Sequence, residues 1–211
     1  MSKFLRFSAW TLVIVGAIIG IARLTVLRWW QVPVGDPYLE ASLAPTLRGG
    51  DWIILWRGSA PIEGALVLCP EPKASGRVVI ARLLGEARDH VKVNSNLLVN
   101  ERAFETESGC DAFAVTDPGT KQELKQSCRR EVSGSRTHLR GDVMPALAAP
   151  READVDVPPG QVFLVSDNRQ FPWDSREFGP VERSTCMETV VFRLVSKEGF
   201  FDVANRLTLI R

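Results

Sequence analysis

Ser42 stands in the run Ala41-Ser42-Leu43-Ala44-Pro45-Thr46-Leu47, which closes on a proline turn and leads through Gly50-Asp51 into the apolar stretch Trp52–Trp56. A serine hydroxyl becomes a nucleophile only when a base within hydrogen-bond reach takes its proton. Without a base, a serine before a turn caps or hydrogen-bonds the backbone. A second polar segment lies far along the chain: Val165-Ser166-Asp167-Asn168-Arg169, Gln170-Phe171-Pro172-Trp173, then Asp174-Ser175-Arg176-Glu177-Phe178-Gly179. Asp167, Arg169, Asp174 and Arg176 are expected to pair and hold this loop, a role that needs no proton transfer. Candidate bases are few. Lys73 falls in a Pro-rich loop and Lys92 in an apparent strand, where solvation keeps an amine near its usual pKa of about 10.4. Glu40 against apolar groups, or His90 folded toward Ser42, are the alternatives, with ion pairing or solvent exposure as the ordinary role of each.

The elements that must position these residues follow from composition. The chain has 211 residues, 45% hydrophobic and 24% charged, enough for one ordinary domain and one membrane segment. Lys+Arg of 26 against Asp+Glu of 25 leaves a net charge of +1, so no basic field invites nucleic acid, and no nucleic-acid partner is expected. Four cysteines without a CxxC pair and only two histidines, His90 and His138, give no metal site, and no cofactor is expected. Cys110 and Cys128 bracket a polar stretch that a disulfide could close in an oxidising compartment; four buried thiols are the alternative.

From Phe7 to Ala22 no residue is charged, and extension through Leu27 gives about 31 Å of helix, enough to cross a bilayer. Arg23 can snorkel, and Trp29 and Trp30 sit where an aromatic belt belongs. A cleaved secretory signal with Lys3 and Arg6 as its basic start is the competing reading. Basic residues flank both ends equally, so charge leaves the orientation open. Beyond Pro33, short β-branched and aromatic runs predict strands at Trp52–Trp56, Ala65–Leu68, Val78–Leu84, Val91–Val93, Val162–Val165 and Thr189–Val195. The expected fold is mainly β, an antiparallel sheet or barrel behind one N-terminal helix. The expected organisation is an anchor at 1–30, a β-core at 31–103 and 160–211, and an inserted subdomain or linker at 104–159. Within the last, ALAAPREADVDVPPG reads as a mobile linker.

In order along the chain, SLAPTL, RGGDWIIL, EGALVLCP, VVIARLLGEARDHVKV, LLVNERA, PPGQVFLVSDNR and DSREFGPV resemble the bacterial type I signal peptidase family. The resemblance covers most of the sequence. It implies a membrane-anchored β-fold serine endopeptidase that removes signal peptides from exported preproteins. Its partners would be those preproteins and the lipid bilayer; its place, the bacterial inner membrane, single-pass, with the catalytic domain facing the periplasm or exterior. Oligomeric state is left open. The family uses a serine with a lysine of lowered pKa as base. Ser42 matches the nucleophile, with Glu40, Ala41, Leu43 and Pro45 around it on the oxyanion and substrate side. Arg82, Asp167, Asn168, Arg169, Asp174, Ser175 and Arg176 match residues that support the site.

Three positions depart from the pattern. Ala81 stands where the lysine should be, and Arg82 cannot replace it, because guanidinium offers no lone pair. Glu40 stands where many relatives place an oxyanion-stabilising serine, and an ionised carboxylate opposes the developing charge. Pro172 aligns with the serine that hydrogen-bonds the lysine. Two functions stay open: an endopeptidase acting through Ser42, and an inactive homologue that binds apolar peptides or a partner membrane protein. Strand addition to a sheet edge serves the second and needs no dyad.

Overall fold

The computed structural model describes residues 3–94, 96–133 and 136–210; the side chains of residues 3–6 and 24 lie outside that description, and with them the expected basic flank of Lys3 and Arg6. The chain opens with a helix, Lys3–Thr25. Among the described residues, no helix is long and apolar enough to cross a membrane. The helix stops short of the expected Leu27. Leu27–Gln31 is a strand, paired antiparallel with Trp52–Trp56, and it turns Trp30 into a core cluster beside Val32 and Ile53. Strand pairing takes precedence because all five residues find partners in the ladder with Trp52–Trp56, and Trp30 gains burial in the core cluster.

The main sheet runs in the order Leu27–Gln31, Trp52–Trp56, Glu188–Val195, Leu66–Pro70, Val78–Gly85, Gln161–Val165, Val181–Glu182, with Thr208–Leu209 added beside Glu188–Val195. Each of these pairings is antiparallel, and the protein is mainly β, as expected. The sheet is covered on both faces at its centre, which explains the near-continuous apolar runs there. Along Val78–Gly85, Val79, Ala81 and Leu83 enter one buried cluster with Val67, Cys69 and Leu164. Ile80 turns to the other face, into a cluster with Leu39, Leu43, Leu55 and Leu66. A fully buried side chain of this size contributes about 1.5–3 kcal/mol.

Three smaller sheets complete the fold. Ala153–Asp156, His90–Val93, Leu97–Val99 and Arg102–Ala103 form one. Arg136–Gly141, Cys128–Ser133 and Glu105–Glu107 form the second, and Glu123–Gln126 with Phe113–Thr116 the third. The run expected to be a mobile linker therefore contains a strand. In Ala153–Asp156, Asp154 and Asp156 pair with Lys92 and His90 across the ladder, while Val155 packs with Val91. Alternation of acid and valine, not the flanking prolines, decides its structure. Two disulfides are present, Cys110–Cys128 and Cys69–Cys186. The second, which spacing did not suggest, ties Leu66–Pro70 to the turn before Glu188–Val195.

Candidate functional site

The helix Pro37–Leu43 carries Ser42. Asp36 starts it, its carboxylate accepting from the backbone of Tyr38 and Leu39, each at 3.2 Å, with Pro37 in the first turn where a missing N–H costs nothing. Leu39 and Leu43, four residues apart, lie on one face and bury it against Ile80 and Leu66. Ala41 and Ala44 pack instead against Val115, Phe113 and Phe171. Ser42 falls between these faces and is fully buried. Its Oγ donates to the Leu39 carbonyl at 2.8 Å, and its carbonyl accepts from the Asn168 N–H at 3.0 Å. Among the described residues, no amine, imidazole or carboxylate lies within hydrogen-bond distance of that hydroxyl.

Each candidate base is held elsewhere. Glu40 accepts from the Gly35 N–H at 2.7 Å and lies across Gly49, where a Cβ would meet the Glu40 carboxyl carbon at 2.7 Å. A side chain at that position would push the Glu40 carboxylate aside. His90 is exposed and bonds Asp156 at 2.8 Å and Asp154 at 3.1 Å, and the Asp156 hydrogen bond raises its pKa. Lys73 donates to the Glu177 carbonyl, and Lys92 pairs with Asp154. Ala81 is fully buried in the apolar cluster on the face of the sheet opposite Ile80. Trp173, next to Pro172, packs against that same cluster. Its indole N–H donates to Glu71 at 3.3 Å, its ring meets Tyr38 at 5.4 Å, and the Arg77 guanidinium lies 4.8 Å above it. Arg77 in turn bonds Asp36 at 2.8 Å and Glu71 at 3.3 Å. An aromatic seal thus joins the start of the Ser42 helix to the start of strand Val78–Gly85.

The polar loop is held by charges that find partners both inside and outside it. Asp174 caps the short helix Ser175–Phe178, accepts from the Ser166 N–H, and pairs with Arg176 at 2.7 Å, as their spacing suggests. Asp167 takes Arg82 instead, at 2.9 and 3.2 Å through two nitrogens, and Arg169 takes Glu131 from strand Cys128–Ser133. Ser175 Oγ accepts from the Leu164 N–H. Asn168 exchanges two amide hydrogen bonds with Gln126 while its backbone holds Ser42. Burial pushes each of these carboxyls upward, but the facing cations win. Arg82 and His138 hold Asp167 below the usual carboxylate range, and Arg176 with two backbone N–H groups does the same for Asp174. Glu131, buried yet faced by Arg169, His138 and Arg140, falls to about 2. His138 is pushed down by burial and by Arg82.

Gln126, Glu131, Arg77 and Trp173 escape the sequence reading. A glutamate opposite His138 in an alternating strand is the one local signal, and it appears only once the register Glu131↔His138 is known. Among the described residues no cluster of His, Cys, Asp and Glu could hold a metal ion. The arrangement fixes the backbone at Ser42 through the Asn168 N–H. Among the described residues it has no amine, imidazole or carboxylate in reach of the hydroxyl proton.

A family model described as signal peptidase, peptidase S26, matches residues 5–195. Signal peptidase I U of Bacillus subtilis (strain 168) is 29% identical over 174 residues, which is 79% of this chain and 74% of that protein.

Proposed function

Because this chain belongs to the signal peptidase S26 family, we propose that it is a membrane-anchored member that engages the signal-peptide region of exported preproteins and holds it without efficient cleavage. The observation that carries this reading is the Ser42 hydroxyl, donated to the Leu39 carbonyl with no amine, imidazole or carboxylate beside it among the described residues. At the position that the family resemblance matches to the base, Ala81 lies in an apolar cluster against which Trp173 packs, and it offers no proton acceptor.

Anchoring at the bacterial inner membrane is supported by the exposed apolar residues of the helix Lys3–Thr25, whose Phe7 and Leu12 are 72% and 73% exposed, and not by its meeting the length and apolarity of a membrane span among the described residues. The sheet continues this apolar surface. Trp29 faces Ile54, Ile54 faces Phe192, and Phe192 faces Leu209 across four strands, a row that directly opposed residues present on one side. Its two ends, Trp29 and Leu209, are 47% and 66% exposed. Aromatic and aliphatic groups in such a row suit the lipid headgroup boundary. Two disulfides favour the oxidising, outer side of the membrane for the β-domain.

The second reading, slow endopeptidase action through Ser42, is favoured by the place of that serine in the family motif. The full chain in detergent micelles, mixed with an exported preprotein, separates the two. We expect binding and no cleavage beyond that of Ser42→Ala. Faster cleavage by the unaltered chain than by Ser42→Ala overturns the first reading and establishes the second.

A further inference from the structure

Beside the Ser42 helix, a groove of about 460 Å³ runs along the whole of strand Phe113–Thr116. That strand is paired on one side only, with Glu123–Gln126. The alternation of the ladder identifies what its free side presents. The Asp117 N–H bonds the Gln122 carbonyl at 2.8 Å, one step beyond the facing pair Thr116 and Glu123. Hydrogen-bonded and non-bonded pairs alternate in an antiparallel ladder, so Val115 and Phe113 direct their backbone groups to the partner strand. Ala114 and Thr116 turn theirs outward. Among the described residues nothing takes those groups. An open edge of this kind is a template for another extended chain.

The groove also has a floor and a sign. Small residues of the Ser42 helix and its turn, Ala41, Ala44 and Pro45, leave room against the strand. Arg48, Lys121 and Lys197 line it, and Arg48 and Lys121 make no ion pair among the described residues. Against these three cations stand two acids, Glu123 and Glu40, of which Glu40 is already tied to the Gly35 N–H.

We infer that this groove takes an extended peptide segment bearing an acidic side chain, which joins Phe113–Thr116 as a third strand and so lies alongside Ser42. The inference rests on the reading that the chain handles exported polypeptides, and it adds where and how a segment of one is held. The main chain of the segment meets Ala114 and Thr116, and its carboxylate meets Arg48 and Lys121.

The test uses the full chain in detergent micelles and a fluorescein-labelled ten-residue peptide of alternating small apolar residues with one central Glu, read by anisotropy. A peptide with Lys in place of Glu should bind at least about tenfold more weakly. Ala114→Pro removes an outward N–H on the groove side and should weaken binding about tenfold. Lys125→Pro removes the outward N–H on the opposite edge of the same two strands and should leave binding unchanged. Equal loss in both proline variants, no loss in either, or no preference for Glu over Lys overturns the inference, as does sedimentation showing a second copy of the chain on this edge. Preprotein binding that survives Ala114→Pro leaves the proposed function standing and removes only this site. Retained Glu-peptide binding by a chain that ignores preproteins does the reverse.

Discussion

The polar loop Ser166–Arg176 and the surroundings of Ser42 lie side by side, joined by the Asn168 N–H on the Ser42 carbonyl, yet their chemistry has diverged. In the loop, Asp167, Arg169 and Asp174 are all buried and all paired, with Arg82, Glu131 and Arg176. The positions that the family resemblance matches to a base and its hydrogen-bond partner hold Ala81 and Pro172. The difference has a physical basis. Removing one member of a buried ion pair strands the other charge, which costs about 3–5 kcal/mol, so such pairs resist single changes. Replacing both a base and its partner by apolar side chains strands nothing. On the proposed reading, the charged loop would then be the part of the scaffold that resists change, and the site of proton transfer the part that does not.

That contrast can be broken or sharpened, the greatest effect coming from the loop. Asp167→Ala leaves the Arg82 guanidinium buried without its two-point partner, and chemical denaturation should report a loss of about 3–5 kcal/mol; a loss below about 1 kcal/mol would mean the pair does not hold the loop. Acid comes next. Glu131 has a folded pKa of about 2 against an ordinary 4.5, so its contribution, about 3 kcal/mol, is complete above that ordinary value and disappears as pH falls toward 2. His138, pushed below 6.5, adds a loss that starts as pH drops through that value, because the unfolded chain then binds the extra proton. Thermal midpoints should fall from pH 7 downward and steeply below about 4.5, and Glu131→Gln should flatten the steep part.

The Ser42 side of the comparison is tested by putting the base back. Ala81→Lys alone overpacks the cluster that Trp173 joins and should destabilise by about 1–3 kcal/mol. Combined with Pro172→Ser and Trp173→Ala, it should raise preprotein cleavage about a hundredfold over the unaltered chain, the usual scale of a general base. No gain would show that the site has lost more than its base. Ser42→Ala should have the least effect: a stability change of about 0.5–1.5 kcal/mol and no change in peptide affinity.

Much of the β-core was legible because it is buried on both faces. Trp52–Trp56 appears where its aromatic and aliphatic run predicted, and Val78–Gly85 and Gln161–Val165 differ from expectation only at their ends. Leu27–Gln31 was obscured by tryptophans that suit a lipid boundary as well as a strand. Ala153–Asp156 was hidden by flanking Ala and Pro, although its own alternation was visible. In the site, the Asp174–Arg176 pair follows from spacing of two in one loop. Arg82–Asp167 and Arg169–Glu131 do not, since the partners are brought together by strands far apart in sequence. Trp173 was read only as a neighbour of Pro172, and nothing short of the packing reveals its contacts with Tyr38 and Arg77.

Between the last residue of the long helix, Thr25, and the first of the sheet, Leu27, there is only Val26, and it is not slack. Its N–H bonds the Ala22 carbonyl at 2.9 Å, and its own carbonyl accepts from the Arg57 N–H at 2.8 Å, in the residue after the neighbouring strand. Arg23 adds a stacking contact on Trp29. With no swivel at the joint, whatever grips the helix also sets the tilt and height of the sheet. Ser42 would then keep a constant elevation above that support, like an instrument on a fixed mast, and a passing chain would have to travel to it.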